Sequence, residues 1–135
     1  MDYPIKYNLL NGSSLSYIGD AYYEIEIRKY LISKNITSSK ILREKSIYYV
    51  SAWSHAEIYS ELKADLTEEE LKIFLRGRNG ASSNHRKNVD RIQYQISSGF
   101  EAIIGYLYLK GDIQRADELI QKAIKIVEEK HDNLW

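Results

Sequence analysis

The sequence predicts an all-α fold built as one domain. Three observations carry this. Apolar residues recur at helical spacing along almost the whole chain. No stretch alternates apolar and polar residues long enough to read as a strand. The only proline is Pro4, ahead of the first clear helix, so no proline interrupts a later one. The 135 residues, 44% hydrophobic and 28% charged, suit one domain spanning 1–135 with its own core.

The first helix is expected from Ser13 or Ser14, either of which can cap it, with Leu15, Ile18, Tyr22, Ile25 and Leu31 or Ile32 as its buried stripe. KNITSS breaks it. KILREKSIYYVSAWSHAEIYSELKAD then reads as one long helix or two joined by a bend. TEEELKIFLRGRN opens on Thr67 with Glu70 three residues later, a capping box, and its three consecutive acids suit the positive end of the helix dipole. GASSN ends that helix. DRIQYQISSGFEAIIGYLYLK follows, with Ile92, Ile96, Phe100, Ile103 and Leu107 on one side. Gly111 stops it, Asp112 caps the next helix, and Ile113, Ala116, Ile120, Ala123 and Val127 form that last helix's stripe. His131 and Trp135 lie beyond it and are expected to fray unless dimerisation ties them down.

Composition excludes several classes. Cysteine is absent, so there is no disulfide framework and no thiolate metal site. The three histidines, His55, His85 and His131, lack paired ligand spacing. No apolar run reaches the ~18 residues of a membrane span, and the N-terminus lacks the pattern of a secretory signal. A soluble intracellular protein is expected. Net charge is zero, yet Lys72–Arg91 holds six basic residues and one acid, Asp90, which gives this window +5. A polyanion meets local charge, so neutrality overall does not exclude nucleic acid.

Two stretches stand apart. LSYIGDAYYE places Asp20 after Gly19 in an otherwise apolar helix, and SSGFEAIIGYLYL places Glu101 one turn before Gly105. Glycine inside a helix costs ~1 kcal/mol relative to alanine, a cost accepted where two backbones pack closely. If these helices cross at their glycines, Asp20 and Glu101 meet. Facing carboxylates repel unless a proton or a cation lies between them, and oxygen-only donors point to magnesium. Each acid alone also fits a cap, a surface residue or an ion pair. Glu24, one turn after Asp20, sits closer to the rim of such a cluster. His55 reads as a packed or hydrogen-bonded histidine. Trp53 and its neighbours suit either core or dimer contact, and Tyr94, Tyr106 and Tyr108 suit packing.

YIGDAYYE, followed about eighty residues later by FEAIIGYLYL, resembles the catalytic domain of ribonuclease III. VSAWSHAEIY, LRGRNGASS and KNVDRIQYQISSGFEAIIGYLYL resemble in particular its short branch, mini ribonuclease III, which has no separate double-stranded-RNA-binding domain. The resemblance covers the whole chain. It implies a helical homodimer that cleaves double-stranded RNA with Mg²⁺, leaving 5′-phosphate and 3′-hydroxyl ends. It implies precursor large-subunit (23S) ribosomal RNA as substrate, with a ribosomal protein on that RNA as a plausible helper. The setting implied is the bacterial, or organellar, cytoplasm, with neither DNA nor membrane as partner.

Within the resemblance, Asp20 and Glu101 are the catalytic and metal-binding acids. The larger family has two further acids, one turn before each of these; here Ser16 and Ser98 stand in their places, and their hydroxyls could hold metal-bound water. Arg76, Arg78, Asn79, Arg86, Lys87 and Asn88, with Arg91 beside them, are the candidate RNA contacts, since duplex RNA is read through phosphates, 2′-hydroxyls and shape. The rival reading is a catalytically silent ribonuclease III-like fold that holds structured RNA.

Overall fold

A computed structural model describes residues 1–81 and 90–135. Among these, six α-helices form the domain: α1 (Gly12–Ser33), α2 (Ser39–Val50), α3 (Ala52–Leu62), α4 (Glu68–Asn79), α5 (Arg91–Lys110) and α6 (Ile113–Lys130). The described residues contain no strand. α5 is the central element, packed by α1, α3, α4 and α6. From Ser97 to Leu107 every residue of α5 is buried except Glu101, which is half-buried.

Local chemistry sets the helix ends. Thr67 accepts from the Glu70 amide at 3.1 Å while Glu70 Oε1 accepts from the Thr67 amide at 2.9 Å, so both arms of the predicted capping box form. Glu70 is buried, and its carboxylate takes two donors from Arg115, Nε and Nη2, each at 2.8 Å. This bidentate pair fastens α6 to the start of α4 and holds the Glu70 carboxyl below its ordinary pKa against the opposing effect of burial. Gly111 takes the left-handed conformation, φ 89°, that ends α5, and Asp112 caps α6 by accepting from the Arg115 amide.

Several expectations are corrected. α1 is capped not by Ser13 or Ser14 but by Asn11, whose Oδ1 accepts from the Ser14 amide at 2.8 Å. The buried face of α1 is Leu15, Ser16, Gly19, Tyr23, Ile27 and Leu31, while Ile25 and Ile32 are exposed. The small residues at positions 12, 16 and 19 set that face, because only they let another helix come close. Of the two readings of the long second segment, two helices joined by a bend is the one observed: Ser51 ends α2 and caps α3 at once, its Oγ accepting from the Ser54 amide. The C-terminal residues are docked, not frayed. Leu134 is buried, His131 Nε2 lies 3.0 Å from Glu57 Oε1, and Trp135 Nε1 donates to the Tyr49 hydroxyl at 3.1 Å. Lys45 Nζ reaches the Leu134 carbonyl at 2.6 Å. On α5, Ile92 lies outside the core at 66% exposure, because α5 enters the packed region only further along.

The crossing of α1 over α5 is the tightest feature of the fold. A Cβ on Gly19 would stand 1.8 Å from the Glu101 carbonyl oxygen, and one on Gly105 would stand 2.0 Å from the Leu15 carbonyl oxygen. Neither neighbour is a side chain that can swing aside. Gly105→Ala is therefore expected to destabilise the protein by about 3 kcal/mol or more. Gly111→Ala, strained in φ but with open space around it, is expected to cost about 1 kcal/mol. Urea unfolding midpoints of the two variants test this order.

Candidate active site

The Gly19–Gly105 crossing fixes where the neighbouring side chains emerge. Asp20 follows Gly19 on the exposed side of α1, and Glu101 leaves α5 at the turn whose carbonyl lies against Gly19. The two carboxyl groups come within hydrogen-bonding reach of each other. The Glu101 carboxyl is pushed well above the ordinary glutamate range, first by burial, then by the hydrogen bond and the charge of Asp20, and last by the charge of Glu24. Glu24 faces the same cluster from one turn further along α1, and Arg28 Nη2 holds its Oε1 at 2.9 Å.

Ser16 and Ser98 are buried one turn before the two acids, and their hydroxyls are engaged within the protein. Ser16 Oγ lies 2.6 Å from the Ser98 carbonyl, 2.9 Å from the Gly12 carbonyl and 2.9 Å from Ser98 Oγ. Ser98 Oγ in turn lies 3.1 Å from the Gly77 carbonyl. With one proton each, the two serines tie α1, α5 and α4 together. Their protons serve helix packing.

The remaining donor set is chemically simple. Asp20 and Glu101 offer hard carboxylate oxygens, with no sulfur or imidazole among them. Among the described residues no group of three or more His, Cys, Asp or Glu side chains is placed to hold a metal ion. Two carboxylates that repel one another, with Glu101 held above the ordinary glutamate range, fit a small divalent cation, since Mg²⁺ typically takes one or two protein carboxylates and keeps several waters.

The basic segment flanks this pair. Gly77 sits against Ser98 and Ala102, the α5 residues on either side of Glu101, so the C-terminal turn of α4 lies beside the acids. Arg76, Arg78 and Asn79 are exposed there. Arg76 also has a role in the fold, as Nη1 donates to the Asn8 and Leu10 carbonyls at 3.3 and 3.2 Å and so anchors the N-terminal segment. Arg78 Nε donates to Asn79 Oδ1 at 3.3 Å. Arg86, Lys87 and Asn88 lie outside the described residues; Arg91 is exposed at the start of α5. His55 is fully buried among Tyr23 and Phe100, with Nδ1 2.7 Å from Ser97 Oγ, and burial pushes its pKa down to about 3, which suits a neutral packing residue. Tyr106 is buried against Tyr7, and Tyr108 packs on Tyr22. Half-buried Trp53 packs edge-on to Tyr48 and His131. Sequence reasoning missed the Glu24–Arg28 pair and the serine tie. The first had a signal in its i, i+4 spacing; the second depends on which helices meet and had none.

The raised Glu101 pKa has a consequence for stability. Its favourable contribution is present while the carboxyl is neutral, below the ordinary glutamate range, and is lost as pH rises through the elevated folded-state value. Glu101→Gln keeps the neutral shape. In magnesium-free buffer at about pH 7 it is expected to unfold at higher urea than the wild type, with the gap closing towards about pH 4. Paired urea titrations across pH measure this.

Residues 13–112 match the family model for the ribonuclease III domain. The chain is 43% identical over 125 residues to a mini-ribonuclease 3 of Enterococcus faecalis, covering 91% of this chain and 95% of that one. It is 42% identical over 125 residues to a mini-ribonuclease 3 of Clostridium tetani, covering 92% and 83%. An X-ray structure of a Fusobacterium nucleatum protein, 29% identical, superposes with a TM-score of 0.78 over 87% of this chain and 93% of that one. The chain therefore belongs to the ribonuclease III family of endoribonucleases, in its mini-ribonuclease 3 branch.

Proposed function

We propose that the protein is a magnesium-dependent homodimeric endoribonuclease that cleaves double-stranded RNA at Asp20 and Glu101, and that its substrate is precursor 23S ribosomal RNA. The observation that carries the chemistry is the approach of the Asp20 and Glu101 carboxyls at a crossing of two backbones. Hydrolysis of a phosphodiester needs a positioned water and neutralisation of charge on phosphoryl oxygens, and magnesium supplies both when bound. Asp20 and Glu101 would hold the cation. The tight crossing keeps their spacing fixed, so little reorganisation is needed when a phosphate arrives. Glu24 adds negative charge from the rim, and Arg28 restrains its side chain.

Arg76, Arg78 and Asn79 on α4, with Arg86, Lys87 and Asn88 after them, would hold the backbone of the duplex on either side of the cut. The contacts are phosphate and 2′-hydroxyl contacts, so binding is expected to be steeply salt-dependent and tolerant of sequence. A homodimer would be able to cover Tyr17, 84% exposed and three residues before Asp20. Two copies related by a two-fold axis would present one acid pair to each strand. The products would carry 5′-phosphate and 3′-hydroxyl ends. The relatives that bear the mini-ribonuclease 3 name are bacterial, which supports a cytoplasmic setting and a ribosomal RNA precursor, with a ribosomal protein on that RNA as helper.

The test is cleavage of a long RNA duplex at low salt, with magnesium or with chelator. Wild type is expected to cut only with magnesium. Asp20→Asn and Glu101→Gln are expected to lose at least about 100-fold in rate, the upper end for groups merely supporting a metal site, while still binding duplex. Duplex binding by wild type without cleavage of either the model duplex or precursor ribosomal RNA would favour the silent RNA-binding module. Cleavage by both variants at the wild-type rate would move the site elsewhere.

A further inference from the structure

A second basic segment lies outside everything assigned above. Between Arg28 and Lys45 stand Arg28, Lys29, Lys34, Lys40, Arg43 and Lys45 against a single acid, Glu44, a window of +5 equal to that of Lys72–Arg91. Its members are not equally free. Lys34 lies over the Tyr30 and Trp135 rings, and Lys45 is held by Trp135 and the Leu134 carbonyl. Arg43 and Lys40 are exposed and adjacent on α2, and among the described residues neither has an acidic partner.

Arg43 forms one lip of a cleft of about 480 Å³ between α1 and α2, and Arg28 forms the other. Buried Leu31 and half-buried Leu42 form its floor, and Ile32, Ser39 and Ser46 complete the lining. Asp20, Glu24, Arg28 and Ile32 are spaced by four, so the cleft and the acid pair share one stripe of α1. Eight residues of helix put Arg28 about 12 Å from Asp20 along the axis. The Glu24 carboxylate pins the Arg28 guanidinium between the two.

We propose that this cleft is a second contact site for the ribose-phosphate backbone of duplex RNA, engaging the substrate a few base pairs from the cut. It rests on the reading of the protein as a duplex-RNA nuclease. A ribose-phosphate strand presents anions, hydroxyls and sugar carbon in close sequence. The cleft presents two guanidinium groups, two serine hydroxyls and an apolar floor in the same small volume. An acidic amphipathic peptide would use the arginines and the floor, but the continuity of the cleft with the acid pair along one helix stripe favours the RNA.

The test is binding of a fluorescent RNA duplex of about 30 base pairs, well beyond the ~16 that one double-stranded-RNA-binding domain spans, in chelator so that no cleavage intervenes. The double variant Arg43→Gln/Lys40→Gln is compared with wild type and with Lys125→Gln, which removes an exposed charge on α6 outside both basic segments. The double variant is expected to bind about tenfold more weakly at low salt and to lower the slope of log affinity against log salt by about one or two. Lys125→Gln is expected to match wild type, and circular dichroism confirms the folds. Equal affinity and slope for the double variant and a duplex-binding wild type would overturn the proposal while leaving the nuclease reading intact. Equal duplex binding with variant-sensitive binding of a leucine–glutamate helical peptide would overturn it in favour of a protein partner. A wild type that fails to bind duplex at all would overturn the nuclease reading, and this proposal with it.

Discussion

The contact between the backbones of α1 and α5 at Gly19 and Gly105 is the constraint on which the rest of the molecule depends. At that crossing the Glu101 and Leu15 carbonyls occupy the space where a Cβ would be. Each glycine costs ~1 kcal/mol of helix propensity, and the cost is offset by the packing it permits. Leu15, Tyr23 and Ile27 continue the same face of α1 and are fully buried. Gly12 and Gly77 repeat the device where α1 meets α4 and α4 meets α5, so three helices share one seam of close backbone approach. Ser16 and Ser98 lie in that seam and bridge it with hydrogen bonds.

A seam this tight leaves little freedom in what emerges beside it. Asp20 and Glu101 sit at its edge, and their carboxyls must share one small volume whether or not that suits the folded state. It does not suit the metal-free state, because burial and two neighbouring acids oppose ionisation of Glu101. The fold thus holds an unfavourable arrangement in place with the stability of its core, a common relation between an active site and its scaffold. On the proposed reading, a divalent cation between the acids would make the same arrangement favourable, because a repulsive pair would become a ligand pair. The substitution of serine for acid at positions 16 and 98 limits the repulsion. Four carboxylates on this seam would add two more buried charges where the protein now has hydrogen bonds.

Much of this was legible in the sequence because it rests on local signals. The Thr67–Glu70 box, the Gly111 stop and the Asp112 cap depend on residues a few positions apart, and each formed as read. The paired glycine–acid stretches gave the crossing, since a costly residue repeated beside a costly charge has few explanations. What escaped depends on tertiary partners. Ile25 reads as core by spacing, yet the face of α1 is set by the small residues that α5 needs, which turns Ile25 outward. Trp135 and His131 read as a loose end, yet Tyr49, Glu57 and Lys45 from three separate turns receive them. No spacing rule connects positions so far apart. The relation between Ser16 and Ser98 was visible only as a double absence of acid.

Charge is the clearest case of a signal that composition hides. The chain is neutral overall, which taken alone disfavours a polyanion partner. It holds two windows of +5, Arg28–Lys45 and Lys72–Arg91, which leaves −10 for the rest. Part of that negative charge is spent on structure: Glu70, Glu118 and Asp65 around Arg115 and Lys122, and Glu128 beneath the Tyr30 and Tyr49 hydroxyls. Acids committed to ion pairs and buried hydroxyls contribute little field at a distance, since salt and partners screen them. Lys40 and Arg43 on α2 and Arg76 and Arg78 in the last turn of α4 are exposed. On the reading proposed above, this neutral chain would meet RNA through its two basic windows, with the Asp20–Glu101 pair close to both. Asp20 and Glu101 would then put negative charge against the phosphates, and a cation between the two acids would offset it.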